Sequence, residues 1–249
     1  MVQLTEQQKE IICARVARHL PIIRKGLRLS QSRFGELAGI SRARIIQVEN
    51  GTAHLSWGQL TSVLFIFLGD ARSKEYLYAN NVLGPRFLQY MQQKDVNIPP
   101  QTNLCVHPEL LEMWYARQEK LPKIDGPVNF TKQNRLDFCD HILNLVPELR
   151  RVMQMSQATL ADLAGISRAR LIQIEKKKVR LSWSQMTSIL CVCQTNLRAK
   201  EYIIANDVLD ARFLQYIQQK DGKTIPDTNI CVAEKYLMSY KDMLAYEGV

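Results

Sequence analysis

Apolar residues recur along this chain at the three-and-four spacing of a helix, as in Leu60, Val63, Leu64 and Phe67, while strand-like alternation is scarce. The spacing predicts an all-α fold. Near residue 40 the pattern breaks into two short pieces. Phe34, Leu37 and Ala38 mark one apolar stripe, with Ser30 placed to cap its helix and Gln31 to open it. Gly39 follows and can take the positive φ of a sharp turn. Ser41 then caps a second helix whose buried side is Ile45 and Val48. Polar, proline-containing stretches at residues 97–101 and 224–227 predict loops between later helices.

Laid against itself, the chain repeats. Gly39-Ile40-Ser41-Arg42-Ala43-Arg44 recurs as Gly165-Ile166-Ser167-Arg168-Ala169-Arg170, an offset of 126 between Ser41 and Ser167. With no gap, Leu55-Ser56-Trp57 becomes Leu181-Ser182-Trp183, Lys74-Glu75-Tyr76 becomes Lys200-Glu201-Tyr202, and Arg86-Phe87-Leu88-Gln89-Tyr90 becomes Arg212-Phe213-Leu214-Gln215-Tyr216. About half of the aligned positions from Cys13 to Val106 are identical, and the period far exceeds that of a solenoid unit. The expected organisation is two tandem helical domains related by internal duplication, at residues 1–121 and 131–249. The Pro- and Gly-containing stretch 122–130 is expected to link them.

The second short helix has an outward face that can carry chemistry. At about 100° per residue, burying Ile45 and Val48 centres the opposite face on Ala43, flanked by Arg42, Ile46 and Gln47. The other copy presents Arg168, Ala169, Ile172 and Gln173. In a DNA major groove, arginine can grip guanine O6 and N7, glutamine can pair with adenine N6 and N7, and alanine or isoleucine can touch a thymine methyl. Arg44 and Arg170 fall to the flank and suit phosphate contacts, which position without reading sequence. Charge supports the same surfaces. The chain carries +9, but residues 15–54 hold eight Lys/Arg against two acids and residues 141–180 hold eight against three. These windows carry +6 and +5, so the remainder is −2 and the basicity is local.

Ser30-Gln31, Leu37-Ala38, Gly39-Ile40-Ser41, Ile45 and Val48-Glu49-Asn50-Gly51 resemble the Cro/lambda-repressor (XRE) family of helix-turn-helix regulators. The resemblance covers roughly residues 16–67 and 142–193, about two-fifths of the chain. It implies a compact helical DNA-binding domain in each half, with the helices beginning at Ser41 and Ser167 reading bases. It also implies phosphate contacts from Gln31, Gln157 and Asn50, and Ser41 and Ser167 join that phosphate-binding set. The second copy departs where Asn50-Gly51-Thr52-Ala53-His54 becomes Lys176-Lys177-Lys178-Val179-Arg180. The usual glycine cap is lost there, and Lys176, Lys177 and Lys178 suggest a firmer phosphate grip.

The expected function is a sequence-specific, double-stranded-DNA-binding transcription regulator, repressor-like, with two recognition helices reading a two-part operator. A pseudo-palindrome is favoured and direct repeats stay open. The late helices would set the spacing of the heads or pair two chains as a homodimer. The alternative is an antitoxin- or antirepressor-like regulator whose late helices bind a protein. An enzyme is not expected, since there is no phosphate loop, metal cluster or nucleophile–base–acid set, and no cofactor is implied. Trp57 and Trp183 suit core anchors better than base-stacking platforms. The six cysteines form no C-x-x-C pair, and most sit in apolar runs that suit buried free thiols. No apolar stretch approaches a membrane span and the first residues do not form a secretory signal, so a cytoplasmic location is expected.

Overall fold

The computed structural model describes residues 1–95, 97–233 and 235. The close of the domain expected over 131–249, residue 234 and residues 236–249, lies outside the described residues. Among the described residues the fold is all-α, without strands, and a lone bridge joins Pro127 to Asp221. The first half runs α1 (Glu6–Gly26), α2 (Gln31–Ala38), α3 (Arg42–Glu49), α4 (Trp57–Leu68), α5 (Ala71–Ala79), α6 (Pro85–Met91) and α7 (Pro108–Glu119). The second runs α8 (Lys132–Val152), α9 (Gln157–Ala164), α10 (Arg168–Glu175), α11 (Trp183–Gln194), α12 (Leu197–Ala205) and α13 (Ala211–Gln218). Helices α1 to α5 recur as α8 to α12 with every boundary 126 residues on. No helix among them is long and apolar enough to cross a membrane.

The starts of these helices follow from their caps. Thr5, Ser30, Ser41 and Ser56 each accept a hydrogen bond from the backbone N–H three residues on, and Thr131, Ser156, Ser167 and Ser182 do the same in the second half. Each such cap satisfies a donor that the helix cannot and is worth about 1 kcal/mol.

The core lies between the halves. Eight consecutive residues of α4, Leu60 to Phe67, are buried, as are the eight equivalents Met186 to Cys193 of α11. A surface helix buries one stripe. These two bury their whole circumference because one side meets helices of the same half while the other meets the partner helix, and α4 against α11 is the most extensive helix pairing among the described residues. One continuous hydrophobic cluster therefore spans both halves. The late helices were expected to set the spacing of the heads or pair two chains, and within the chain α4 and α11 make the broadest contact between the halves among the described residues.

Polar contacts across the joint come in reciprocal pairs. Trp57 Nε1 donates to Leu163 O (2.9 Å) and Trp183 Nε1 to Leu37 O (2.7 Å). Tyr90 OH donates to Asp162 (2.6 Å) and Tyr216 OH to Glu36 (3.1 Å). Lys9 pairs with Asp162 (2.7 Å) and Arg135 with Glu36 (3.0 Å). When residue i meets j of the other half and the equivalent of i meets the equivalent of j, the joint has the form of an isologous two-fold interface. The tryptophans are anchors of this joint, half-buried against Phe87 and Tyr90 in one case and Phe213 and Tyr216 in the other.

The connection between the halves is itself partly buried. Within residues 122–130, expected as a linker, Val128 and Phe130 are buried, and Phe130 packs among Phe138, Trp183, Phe213 and Tyr216. Helix α7 likewise crosses over to α12, where Arg117 Nη2 donates to Ile204 O (2.7 Å) and Trp114 is buried. The cysteines also divide. Cys13, Cys139, Cys191 and Cys193 are buried free thiols, but Cys105 and Cys231 are exposed and joined as a disulfide, with Cα atoms 6.5 Å apart. These two are equivalents at the offset of 126, and a two-fold brings a residue near its axis against its own counterpart.

Candidate nucleic-acid interface

Each half holds two short helices, α2 and α3 or α9 and α10, joined by a three-residue turn. The turn is possible because Gly39 and Gly165 end the first helix in the left-handed region, at φ 67° and 64°. Ser41 and Ser167 restart the chain as a helix through their caps. Ile45 and Val48 are then buried, as are Leu171 and Ile174.

The opposite face is open. Ser41, Arg42, Ala43 and Gln47 are exposed and Ile46 is half-buried, and Ser167, Arg168, Ala169, Gln173 and Ile172 repeat this pattern. The side chains expected to read bases thus lie together on the outer face of each helix. Asn50 follows α3 as its exposed C-cap, and Lys176, Lys177 and Lys178 follow α10, all exposed. Lys177 takes φ 55° where Gly51 has 72°, so the chain turns in the same way without glycine. A lysine in that region carries roughly 1–2 kcal/mol of strain.

Two expected phosphate ligands per half have internal roles. Arg44 Nη2 donates to His54 O, and Arg170 Nη2 donates to Arg180 O (2.8 Å), so these arginines brace the loop after the helix. Gln31 Nε2 donates to Glu49 Oε2 (2.7 Å) and Gln157 Nε2 to Glu175 Oε2 (2.7 Å). The carboxylates in turn receive two bonds each from Arg24 (2.6 and 3.0 Å) and Arg150 (2.7 and 3.2 Å). Arg24 also donates to Leu29 O (2.5 Å), closing a network that ties α1, α2 and α3. Burial by itself would raise the Glu49 and Glu175 carboxyls. Hydrogen bonds from Arg24 and Gln31, and from Arg150 and Gln157, hold both below the usual range. The network sets the angle at which the outer face is presented, and each glutamine keeps a second N–H for a ligand.

The sequence pattern marked none of Glu49, Arg24, Glu175 or Arg150 as part of the site. The available signal was their recurrence at the same offset as charged residues beside buried ones. Among the described residues no three His, Cys, Asp or Glu side chains come together as a metal-holding group. No family model, no curated protein and no solved structure matches this chain.

Proposed function

We propose that this chain is a sequence-specific, double-stranded-DNA-binding transcription regulator of the helix-turn-helix kind, arisen by internal duplication, whose two halves act as the two heads of one dimer-like unit. The observation that carries the reading is the pair of near-identical outward faces, Arg42-Ala43-Ile46-Gln47 and Arg168-Ala169-Ile172-Gln173, in halves joined by reciprocal contacts. A two-fold joint presents the two reading helices in opposite directions along the duplex, which favours an inverted repeat over a direct one. Half-site centres about 34 Å apart, one turn of DNA, are the expected spacing.

In this mechanism Arg42 and Arg168 grip guanine, Gln47 and Gln173 pair with adenine, and the alanines and isoleucines contact thymine methyls. Ser41, Gln31, Asn50 and their counterparts, together with Lys176 to Lys178, hold phosphates and set the register. Both heads belong to one chain, so a repressor-like complex forms at one chain per operator and no homodimer is required. Each good arginine–guanine pair contributes about 1–3 kcal/mol of discrimination.

The test is selection of bound duplexes from a random library, followed by salt titration of the winner against Arg42→Ala/Arg168→Ala. An enriched inverted two-part site, bound by one chain and lost in the double variant, is expected. Failure to enrich any sequence, with only weak salt-sensitive binding, overturns the reading and turns attention to a protein partner of the late helices.

A further inference from the structure

Lys74 on α5 and Lys200 on α12 are equivalents at the offset of 126, and only 8% and 4% of their surfaces remain exposed. Each reaches across the joint: Lys74 Nζ donates to Ile230 O (2.5 Å), and Lys200 Nζ donates to Leu104 O (2.6 Å) and Asn229 Oδ1 (3.1 Å). An ammonium has three donors, so at least one donor on each lysine is left over. No described carboxylate stands within ion-pair distance of either. Burying one ammonium costs several kcal/mol, and a second of the same sign beside it adds repulsion.

Both lysines line one cavity of about 60 Å³ at the joint between the halves, room for a few water molecules or one small oxyanion. Its wall includes neutral polar residues that also come in equivalents, Gln92 with Gln218 and Thr102 with Thr228. The titratable and charged groups facing the cavity are Lys74, Lys200, Tyr78 and Asp227. Tyr78 OH donates to Thr102 O (3.0 Å), and burial raises its hydroxyl, so it stays neutral. Asp227 is 57% exposed at the rim and is engaged by Lys220 (2.7 Å).

We infer that the cavity between Lys74 and Lys200 is a binding site for one small doubly charged oxyanion, of the sulfate, phosphate or short-dicarboxylate class, seated across the two halves. The two lysines that line the cavity, one from each half, carry the charge that would neutralise such a dianion, while the amides and hydroxyls of the wall offer it further hydrogen bonds. Without a ligand the cost of two like charges is relieved by proton loss, since burial lowers Lys74 to about 7, with Lys200 adding to the effect, and lowers Lys200 to about 8. Binding a dianion therefore takes up protons at neutral and alkaline pH.

The experiment is calorimetric titration of the full chain with sodium sulfate, and separately malonate, at ionic strength held constant with chloride. The wild type and Lys74→Met/Lys200→Met are compared, and circular dichroism and thermal unfolding report the fold of the variant. One saturable site per chain is expected in the wild type, weakened more than about tenfold in a folded double variant. Sulfate stays dianionic between pH 6.5 and 8.5, so its affinity for the wild type should fall on the order of 100-fold across that range as the two lysines lose protons. This profile needs no variant to fold. Absence of saturable binding by both probes, equal affinity in the folded double variant, or a flat pH profile overturns the assignment.

Discussion

Gly165 offers a direct measure of how the two halves constrain each other. It sits at φ 64°, a strained conformation for any side chain, and a Cβ built there would lie 2.3 Å from Gly58 N and 2.6 Å from Gly58 Cα, both backbone atoms of the other half. Gly39, at φ 67°, would place its Cβ 2.8 Å from Ser184 N and 3.0 Å from the Trp183 ring. Gly51, at φ 72°, would meet nothing within 4 Å. Replacing any of the three by alanine incurs about 1–2 kcal/mol of backbone strain. Only the first two add overpacking against a helix that cannot retreat, about 1–3 kcal/mol more. Gly51→Ala should therefore lose about 1 kcal/mol and Gly165→Ala about 3–4 kcal/mol, with Gly39→Ala between them. Urea unfolding, with the slope unchanged so that midpoints compare stabilities, is the assay. Equal losses at Gly165 and Gly51 would refute the close approach of α4 to the turn of the opposite half.

Further outcomes follow from the same structure. The folded-state values of Lys74 and Lys200, about 7 and about 8, lie below the ordinary 10.5, so the unfolded chain binds more protons and stability rises with pH above 7. The gain from pH 7 to 9 should be on the order of 3 kcal/mol and absent in Lys74→Met/Lys200→Met. Burial lifts all four free thiols above 9.0, Cys13 to about 11, Cys139 and Cys193 to about 12 and Cys191 further, and above pH 9 these four together outweigh the two lysines, so an optimum near that pH is expected in chemical denaturation. Lys177→Gly should relieve the φ 55° strain and raise stability by about 1 kcal/mol while reducing the salt slope of DNA binding by about 0.9. A slope unchanged in that variant would remove Lys177 from the phosphate-binding set.

Much of the local structure was legible from residue order. The apolar spacing of Phe34, Leu37, Ile45 and Val48, the serines that begin helices, and glycines 39 and 165 at the turns act within a few residues, and the helices lie where those signals put them. The outward set around Ala43 follows from helical geometry once Ile45 and Val48 are buried. What tertiary structure decided is where the two copies meet. A helix apolar all round, such as α4, announces burial but not its partner. Only assembly shows that its second side faces α11, that Gly165 must be small for Gly58 as well as flexible for the turn, and that Phe130 belongs to a core. Lys74 with Lys200 and Cys105 with Cys231 were visible as repeats, yet repetition states equivalence and not proximity. A residue meets its equivalent only where a two-fold axis passes. The position of that axis depends on side-chain packing over the whole joint, which no local window of the chain contains.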